Sequence, residues 1–295
     1  MNLRFVEAFV WVARLNCITR AAEKLCLSQS AVSNRIAALE QELGTLLLDR
    51  RHQGFRLTAA GTRFLNYADR LLELHFELRS ELGTPGQQPF SLRVGGIETV
   101  LHTWLIPMLN QLKRDMPKIE FDLTVEMTPA LNEQIRRGGL DLSFSAIPAT
   151  GDGIINEALP PLEMVFAGPV NLAKRRLTID ELLKLEIMTF QRGSQPHIAL
   201  LEKLRTIGAG DKRVHTLTSI SALTRLAESG LGVATLPLAA AKTLSSTNKI
   251  AILRCELKLA ALPMYASYWD TPSFTHLKQA VDEALKFARN YNAAE

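Results

Sequence analysis

The chain has 295 residues, of which 47% are hydrophobic, and a formal net charge of only +4. This length predicts two or three domains, and this composition lets each bury a core. No apolar run approaches the roughly 20 residues that a membrane-spanning helix needs, and the amphipathic start does not resemble a signal peptide. We therefore expect a cytoplasmic protein without a membrane partner.

The positive charge is concentrated near the N-terminus. Residues 1–58 contain eight Lys or Arg and five Asp or Glu, so they hold +3 of the net +4. A basic patch on a small domain suits a phosphate backbone. By charge alone, a merely solvated basic face explains the excess equally well.

The first residues predict two short helices. Apolar residues recur with helical spacing over residues 3–15, and Asn16 is expected to end this helix. Thr19 is expected to cap the second helix. The inward residues of the second helix are predicted to be Ala21, Ala22 and Leu25.

A third helix is predicted to begin after Ser28, which caps it, and to stop at Gly44. Apolar residues recur along it at steps of four, three and four, as one face of a helix requires. This inner face consists of Val32, Ile36, Leu39 and Leu43. The sequence therefore predicts a helix, a tight turn and a second helix, with polar and basic groups outward.

Residues 46–57 predict a basic β-hairpin, and Thr58 is expected to cap a long helix over residues 59–82. One apolar stripe runs along that helix. It comprises Phe64, Tyr67, Leu71, Leu74 and Leu78. A stripe this long on a connecting helix needs a partner, and self-association is the simplest one.

Residues 83–89 combine Gly and Pro with polar residues and predict a linker. From residue 91 onward, short β-rich runs alternate with helical stretches, which predicts an α/β domain with a mainly parallel sheet. The pattern occurs twice, at about 91–160 and 162–265, so two similar lobes are expected. Pro237 is expected to open a helix, and a last helix is predicted at about 273–290.

In a helix-turn-helix, the second helix enters the major groove and contacts base edges with its N-terminal turns. Asn and Gln pair with adenine, Arg with guanine, and Ser with several edges. Other basic residues would contact phosphate or the minor groove. The candidates for the major groove are Ser28, Gln29, Ser30, Ser33, Asn34 and Arg35, and those for the backbone are Arg20, Arg50, Arg51 and Arg56. An ordinary helical hairpin with polar outer faces is the alternative.

The ordered combination of "AAEKL", "SQSAVS", "RIAALEQELG" and "LTAAG" is more specific than a generic helix-turn-helix. In these motifs the sequence resembles the LysR-type transcriptional regulators. The resemblance continues through "LIPMLNQLKRDMPKIEFDLTV", "GGLDLSF" and "ESGLGVATLP". Two positions depart from the family's pattern. Ser30 stands where proline is frequent, and Asn34 where arginine is frequent, which puts the preferred operator in doubt.

The resemblance implies three parts: a winged helix-turn-helix over residues 1–58, a dimerising linker helix and hinge over 59–89, and an effector domain over 90–295 that resembles periplasmic binding proteins. Lobe I would comprise about 90–161 and 267–295, and lobe II about 162–266. The implied partners are double-stranded DNA with an interrupted inverted repeat, a small-molecule effector, RNA polymerase, and further copies of the chain as a dimer of dimers.

Ligands of α/β sheets gather beyond the carboxyl ends of parallel strands. The candidate effector residues follow the predicted strands in this way: Glu98, Thr99, His102, Thr128, Ile147, Pro148, Phe190, Arg192, Ser194, Ser219 and Ile220. The resemblance favours Thr99, Thr128, Ile147, Ser194 and Ser219 among them. Helix capping is the alternative role of Thr99, Thr128 and Ser219.

Glu98 carries a further expectation. A carboxylate at the mouth of the cleft disfavours an anionic ligand unless Arg192 or His197 offsets its charge. The sequence therefore favours a polar effector that is neutral or bears an amine.

No catalytic motif for phosphate, zinc or nucleophilic chemistry occurs in the sequence. The six His residues are scattered, and Cys17, Cys26 and Cys255 form no metal or disulfide pattern. We therefore expect a non-enzyme without a cofactor or metal. The competing hypothesis is a solute-binding or enzymatic α/β protein with a fortuitous helical N-terminus. The basic hairpin and the missing export signal argue against it.

Overall fold

The computed structural model describes residues 1–49, 56–82, 90–151, 153–245, 250–269 and 275–291. Its helices are α1 (Leu3–Leu15), α2 (Ile18–Lys24), α3 (Gln29–Leu43), α4 (Ala59–Leu82), α5 (Glu98–Val100), α6 (Ile106–Asp115), α7 (Thr128–Arg136), α8 (Ile179–Leu183), α9 (Gln195–Thr206), α10 (Ile220–Glu228), α11 (Leu238–Ser245) and α12 (Thr275–Tyr291). Its strands are β1 (Leu48–Asp49), β2 (Arg56–Leu57), β3 (Phe90–Gly96), β4 (Ile119–Val125), β5 (Leu142–Ser145), β6 (Ile154–Leu162), β7 (Met164–Pro169), β8 (Ile187–Phe190), β9 (Val214–Leu217), β10 (Val233–Pro237), β11 (Ile250–Ile252) and β12 (Leu262–Trp269).

The N-terminal domain is the predicted helix-turn-helix with a small wing. Val32, Ile36 and Leu39 on α3 are fully buried against α1 and α2, as their spacing predicted. Each such side chain contributes about 1.5–3 kcal/mol by leaving water. The prediction for Leu43 is wrong, because this last residue of α3 is 37% exposed.

The helix boundaries follow local capping chemistry with one exception. The Ser28 Oγ accepts a hydrogen bond from the Ala31 N–H at 3.2 Å, and Gly44 ends α3 at φ +64°. The Thr58 Oγ1 accepts from the Gly61 N–H at 2.9 Å and so caps α4. The predicted cap at Thr19 is wrong. The backbone already turns left-handed at Asn16, so α2 begins at Ile18 and Thr19 lies inside it.

The wing is held against α3 by one carboxylate. β1 and β2 pair antiparallel, as predicted for residues 46–57. The buried Glu40 Oε1 accepts hydrogen bonds from the Leu47 N–H at 2.8 Å and the Leu48 N–H at 3.0 Å. These two bonds fix where the wing lies relative to α3.

The helix α4 packs on α1 at its start and exposes apolar residues further along. Phe64 lies 5.3 Å from Phe9, ring centre to ring centre, in an edge-to-face contact. Asp69 pairs with Arg14 at 2.9 Å. The exposed apolar residues of the predicted stripe are Tyr67, Leu74 and Leu78, with exposures of 64%, 65% and 51%.

The rest of the chain forms two α/β lobes, each with a five-stranded sheet. The strand order is β4-β3-β5-β12-β6 in lobe I and β11-β7-β10-β8-β9 in lobe II. Each sheet has two parallel and two antiparallel pairings, so it is mixed rather than mainly parallel. The antiparallel pairings belong to the two strands that follow a crossing between the lobes. These are β7, the first strand of lobe II, and β12, by which the chain returns to lobe I.

Two local details differ from the expectation. β12 pairs within the sheet of lobe I, so residues 262–266 belong to that sheet rather than to lobe II. Pro237 is the last residue of β10, and α11 begins at Leu238. Within the described ranges, no helix is long and apolar enough to cross a membrane.

The N-terminal domain packs on lobe I through a buried charge cluster. Asp141, just before β5, pairs with Lys24 of α2, and it accepts bonds from the Arg93 side chain and from the Arg93 N–H at 2.9 Å. The Lys24 Nζ also lies 4.6 Å from the centre of the Trp11 ring. This cluster joins the two domains.

Burial alone would raise the pKa of Asp141, but the charges and hydrogen bonds of Lys24 and Arg93 outweigh it. The pKa of Asp141 therefore lies below its usual value. Apolar contacts surround the cluster. Gly138 lies against Leu15, and Trp269 packs on the core of the N-terminal domain while its Nε1–H donates to the Ile135 carbonyl at 2.8 Å.

Candidate DNA-binding face and effector cleft

The outer face of α3 presents polar side chains to solvent. Gln29, Ser30 and Asn34 are exposed, on the side opposite the buried stripe of this helix. The Ser30 Oγ lies 3.0 Å from the Ser28 Oγ, so the N-terminal turn of α3 carries two linked hydroxyls. Groups of this kind at a helix start can bond to base edges in a major groove.

Ser33 and Arg35 lie on the flanks of α3 and are half-buried. Arg35 is close to Glu7 of α1, and burial raises the pKa of that carboxyl against the opposing charges of Arg35 and Arg4. Arg35 therefore faces both α1 and the open side of the helix.

Two of the four predicted backbone contacts lie in the described part of the chain. Arg20 is half-buried on α2 and Arg56 is exposed on β2. Neither makes an ion pair with any described residue, so both charges are open to a phosphate. Arg50 and Arg51 lie outside the described residues.

A cavity of about 430 Å³ lies between the lobes, at the carboxyl ends of the parallel strands of both sheets. This volume suits a small organic molecule. The lining residues that the sequence predicted are Glu98, Thr99, Thr128, Ile147, Phe190 and Ser194.

The other five predicted effector residues do not line the cavity. They are His102, Pro148, Arg192, Ser219 and Ile220. The Pro148 carbonyl accepts a bond from Asn132, and Thr218 lines the cavity where Ser219 was expected. Ile220 still matters, through its backbone.

Sequence reasoning assigned no role to several lining residues. They are Ile97, Leu101, Val125, Glu126, Gln195 and Pro196. A signal was present, because each lies within a few residues of a strand end that had been singled out. Gln195 and Pro196, for example, form the first turn of the helix that follows β8.

Two hydroxyls of the cavity make no hydrogen bond to any described residue. They are the buried Thr99 Oγ1 and Ser194 Oγ. Helix capping, the alternative role of Thr99, Thr128 and Ser219, is not seen for these side chains. Ile97 is the N-cap of α5 and Met127 that of α7, and Ser219 makes no side-chain cap bond to α10. A buried hydroxyl without a partner costs about 1–3 kcal/mol, which a bound ligand can recover.

Glu98 bridges the lobes across the cleft. Its Oε1 accepts a hydrogen bond from the Ile220 N–H at the start of α10, at 2.8 Å. The same oxygen lies 3.5 Å from the His102 Nε2. Among the described residues, no group bonds to the Glu98 Oε2. One oxygen is therefore fixed across the cleft while the other is open.

The two groups that were expected to offset Glu98 do not do so. Arg192 is exposed and does not line the cavity. Burial, and next the charge of Arg192, lower the pKa of His197, and its Nδ1 accepts from the Gly193 N–H at 3.3 Å. The lowered pKa and the acceptor role of the Nδ1 both favour the neutral imidazole of His197. Within the described ranges, no cluster of three His, Cys, Asp or Glu is placed to hold a metal.

Family comparisons agree with this architecture. Residues 3–62 match the model for the bacterial regulatory helix-turn-helix protein, lysR family, and residues 86–290 match the LysR substrate binding domain. The chain belongs to the LysR family. It is a LysR-type transcriptional regulator with a DNA-binding helix-turn-helix domain and an effector-binding domain.

Relatives of this LysR regulator include YofA of Bacillus velezensis, 29% identical over 80% of this chain and 81% of that protein. ArgP of Photorhabdus laumondii is 32% identical over 78% of this chain and 77% of that protein. Both are named as transcriptional regulators.

Solved structures share the fold. A full-length OxyR variant of Pseudomonas aeruginosa has a TM-score of 0.60 at 23% identity, over 98% of both chains. CbnR, solved in complex with its target DNA, has a TM-score of 0.52 at 22% identity, over 96% of this chain and all of that one.

Proposed function

We propose that this LysR regulator reads an interrupted inverted repeat with α3, and that Gln29, Ser30, Ser33, Asn34 and Arg35 make the contacts to bases. The observation that carries the proposal is the division of α3 into a fully buried apolar face and an exposed polar one. The exposed face has no other partner among the described residues. Arg20, Arg50, Arg51 and Arg56 would hold the phosphate backbone on either side.

Pairing through α4 supplies the two-fold symmetry that an inverted repeat needs. Tyr67, Leu74 and Leu78 are large, exposed and spaced along one helix, although their burial would be favourable. Two antiparallel copies of α4 would cover these residues and set two α3 helices one or more turns of DNA apart. A dimer of such dimers would form through the effector domains.

We propose the cavity between the lobes as the effector site. We also propose that the helix-turn-helix domain ends at about residue 58 and that the linker helix and its hinge end at about residue 89. A ligand that binds better when the lobes close would favour one arrangement of subunits over another. The spacing of the DNA-binding pairs would change with it, and so would the access of RNA polymerase. A regulator of this kind works in the cytoplasm beside the DNA, and its cleft binds the ligand rather than converting it.

The test begins by selecting the preferred duplex from a random pool with the full-length protein. Its affinity is then measured by fluorescence anisotropy at several salt concentrations, against a scrambled duplex. We expect a steep fall with salt for both, because phosphate contacts release counterions, and a tighter complex with the selected duplex at every salt. Equal affinity for both duplexes would refute sequence-specific reading.

The role of α4 is tested in the same assay. Replacing Leu74 by Glu places a charge on the exposed stripe without touching the DNA-binding domain. We expect dissociation toward monomers in sedimentation, and weaker binding to the full site than the native chain shows. Thr62→Ala, an exposed position on the same helix, is the control and should leave the oligomer intact.

A further inference from the structure

We infer that the cleft takes an amine-bearing zwitterion of the amino-acid class, with its ammonium group on Glu98 and Glu126 and its carboxylate on the hydroxyls of Thr99 and Ser194. The inference rests on the proposed role of this cavity as the effector site. It names the chemical class that the site selects.

The charge of the lining is the first observation. Among the described residues that line the cavity, the ionisable ones are Glu98 and Glu126, and both are acidic. The described lining contains no lysine or arginine, and the lowered pKa of His197 disfavours a positive charge on that ring. A ligand whose only charge is negative would meet two carboxylates, and beside them the one titratable nitrogen within 4 Å among the described residues is the His102 Nε2, 3.5 Å from the Glu98 Oε1.

The open oxygen of Glu98 is the second observation. The Oε1 is held by the Ile220 N–H from across the cleft, so the carboxylate does not have to be ordered when a ligand arrives. Its Oε2 has no partner among the described residues, and the side chain is only 20% exposed. A charge-assisted bond from an ammonium group would complete this carboxylate.

The hydroxyls would bind the carboxylate of the ligand. The Thr99 Oγ1 and the Ser194 Oγ, one on each lobe, are buried and have no hydrogen-bond partner within the described ranges. The helices α7 and α9 start at the same cavity, so their N-terminal N–H groups point toward it. Together they suit a carboxylate, while Leu101, Val125 and Phe190 suit an apolar body.

The α10 N-terminus does not add to this anion site. The Glu98 carboxylate already occupies it, so an effector carboxylate cannot bond there without displacing Glu98. The N-terminus of α10 is therefore bonded to Glu98, whereas those of α7 and α9 remain available to a ligand. This asymmetry favours a ligand that carries both charges over a simple carboxylate.

The test uses four probes with a common six-carbon skeleton: 2-aminohexanoate, hexylamine, hexan-1-ol and hexanoate. Binding to the full-length protein is measured by titration calorimetry at about pH 8, where an ordinary imidazole is neutral and an alkylamine is charged. We expect 2-aminohexanoate to bind most tightly, then hexylamine, then hexan-1-ol, and hexanoate least.

Two double variants test the groups that would bind the ammonium and those that would bind the carboxylate separately. Glu98→Gln with Glu126→Gln should reduce the preference for hexylamine over hexan-1-ol at least tenfold. The amide introduced by Glu98→Gln retains an oxygen for the Ile220 N–H, so the contact across the cleft remains. Thr99→Val with Ser194→Ala should instead remove the advantage of 2-aminohexanoate over hexylamine. Glu120→Gln, which removes one exposed carboxylate at the other end of β4, is the control and should leave the order of the probes unchanged.

Tighter binding of hexanoate than of hexylamine would overturn the inference. So would an unchanged preference for the amine in the double glutamine variant, or no binding of either amine. Binding of the selected duplex is measured with the same preparations. If the selected duplex is still recognised while the probes do not bind in the expected order, the inferred ligand class is wrong and the proposed regulator function is retained. If DNA recognition fails, the proposed function is wrong whatever the probes do.

Discussion

Two carboxylates of the effector domain reach across a boundary between units of the fold, and their surroundings differ. Asp141 meets Lys24 and Arg93 at the junction with the DNA-binding domain, and both of its oxygens are bonded. Glu98 meets the Ile220 N–H across the cleft with one oxygen and leaves the other open. The first is completed within the chain, whereas the second leaves capacity for a ligand.

The same distinction applies to neutral groups. Ser267 lies on β12 in the lobe I sheet, and its hydroxyl donates to the Asn156 Oδ1 at 2.6 Å. The hydroxyls of Thr99 and Ser194 in the cleft make no hydrogen bond to a described residue, and Asn34 on α3 faces solvent. The hydrogen bonds of Asp141 and Ser267 are thus completed within the fold, whereas groups of Glu98, Thr99, Ser194 and Asn34 remain available for the proposed ligand and DNA. Substitution of a group that is bonded within the fold should change stability, and substitution of a group that remains available should change binding.

The largest effect on stability is expected at the junction. Replacing Asp141 by Asn leaves the buried Lys24 ammonium without its partner charge, and breaking a buried pair in this way costs about 3–5 kcal/mol. Urea unfolding of the full-length protein measures the loss. Glu133→Gln removes an exposed carboxylate that also pairs with two arginines, and we expect it to leave the unfolding midpoint unchanged.

A pH series tests the origin of that loss. The pKa of Asp141 is depressed in the folded protein, so its contribution is present above the unfolded pKa, about 4, and is lost as the pH falls through the folded value. The stability difference between the native chain and Asp141→Asn should therefore be full at pH 7 and shrink below pH 4. A difference that does not vary with pH would mean that ionisation of Asp141 is irrelevant.

The next largest effect is expected in DNA binding, without a change in stability. Asn34→Ala should lose about 1–3 kcal/mol on the selected duplex and relax the sequence preference, because a base contact is removed. Arg56→Ala should weaken selected and scrambled duplexes alike and reduce the salt dependence. Equal effects of both variants on both duplexes would overturn the assigned roles.

The sequence predicted those features of the fold that depend on neighbouring residues. Ser28, Gly44 and Thr58 were recognised because a cap or stop acts within three residues of its partner. Val32, Ile36 and Leu39 were recognised because helical spacing determines which residues share a face. Thr19 was misjudged because burial of Ile18 and the turn at Asn16 determine where α2 starts.

The contacts that distinguish the two carboxylates were beyond sequence reasoning. Lys24 and Asp141 are 117 residues apart, and Glu98 and the Ile220 N–H are 122 apart. Nothing in local spacing relates such positions. The strand ends indicated the edge of the sheets at which the cavity lies, since ligands gather at that edge of a parallel pairing. They did not tell which oxygen is bonded, and so the sequence alone left the effector class as a choice between neutral and amine-bearing.

The smallest effect on stability is expected from Ser194→Ala. This hydroxyl is buried and makes no hydrogen bond to the part of the chain that the structure describes, so its removal takes away a desolvated group and no such bond. We expect thermal unfolding to occur at the same temperature as in the native chain or slightly higher. Ser267→Ala is the matched control, because it removes the same atom where a bond exists, and it should lower the unfolding temperature. If Ser194→Ala is the more destabilising of the two, the Ser194 hydroxyl already has a structural role, and the cleft does not hold it open for a ligand.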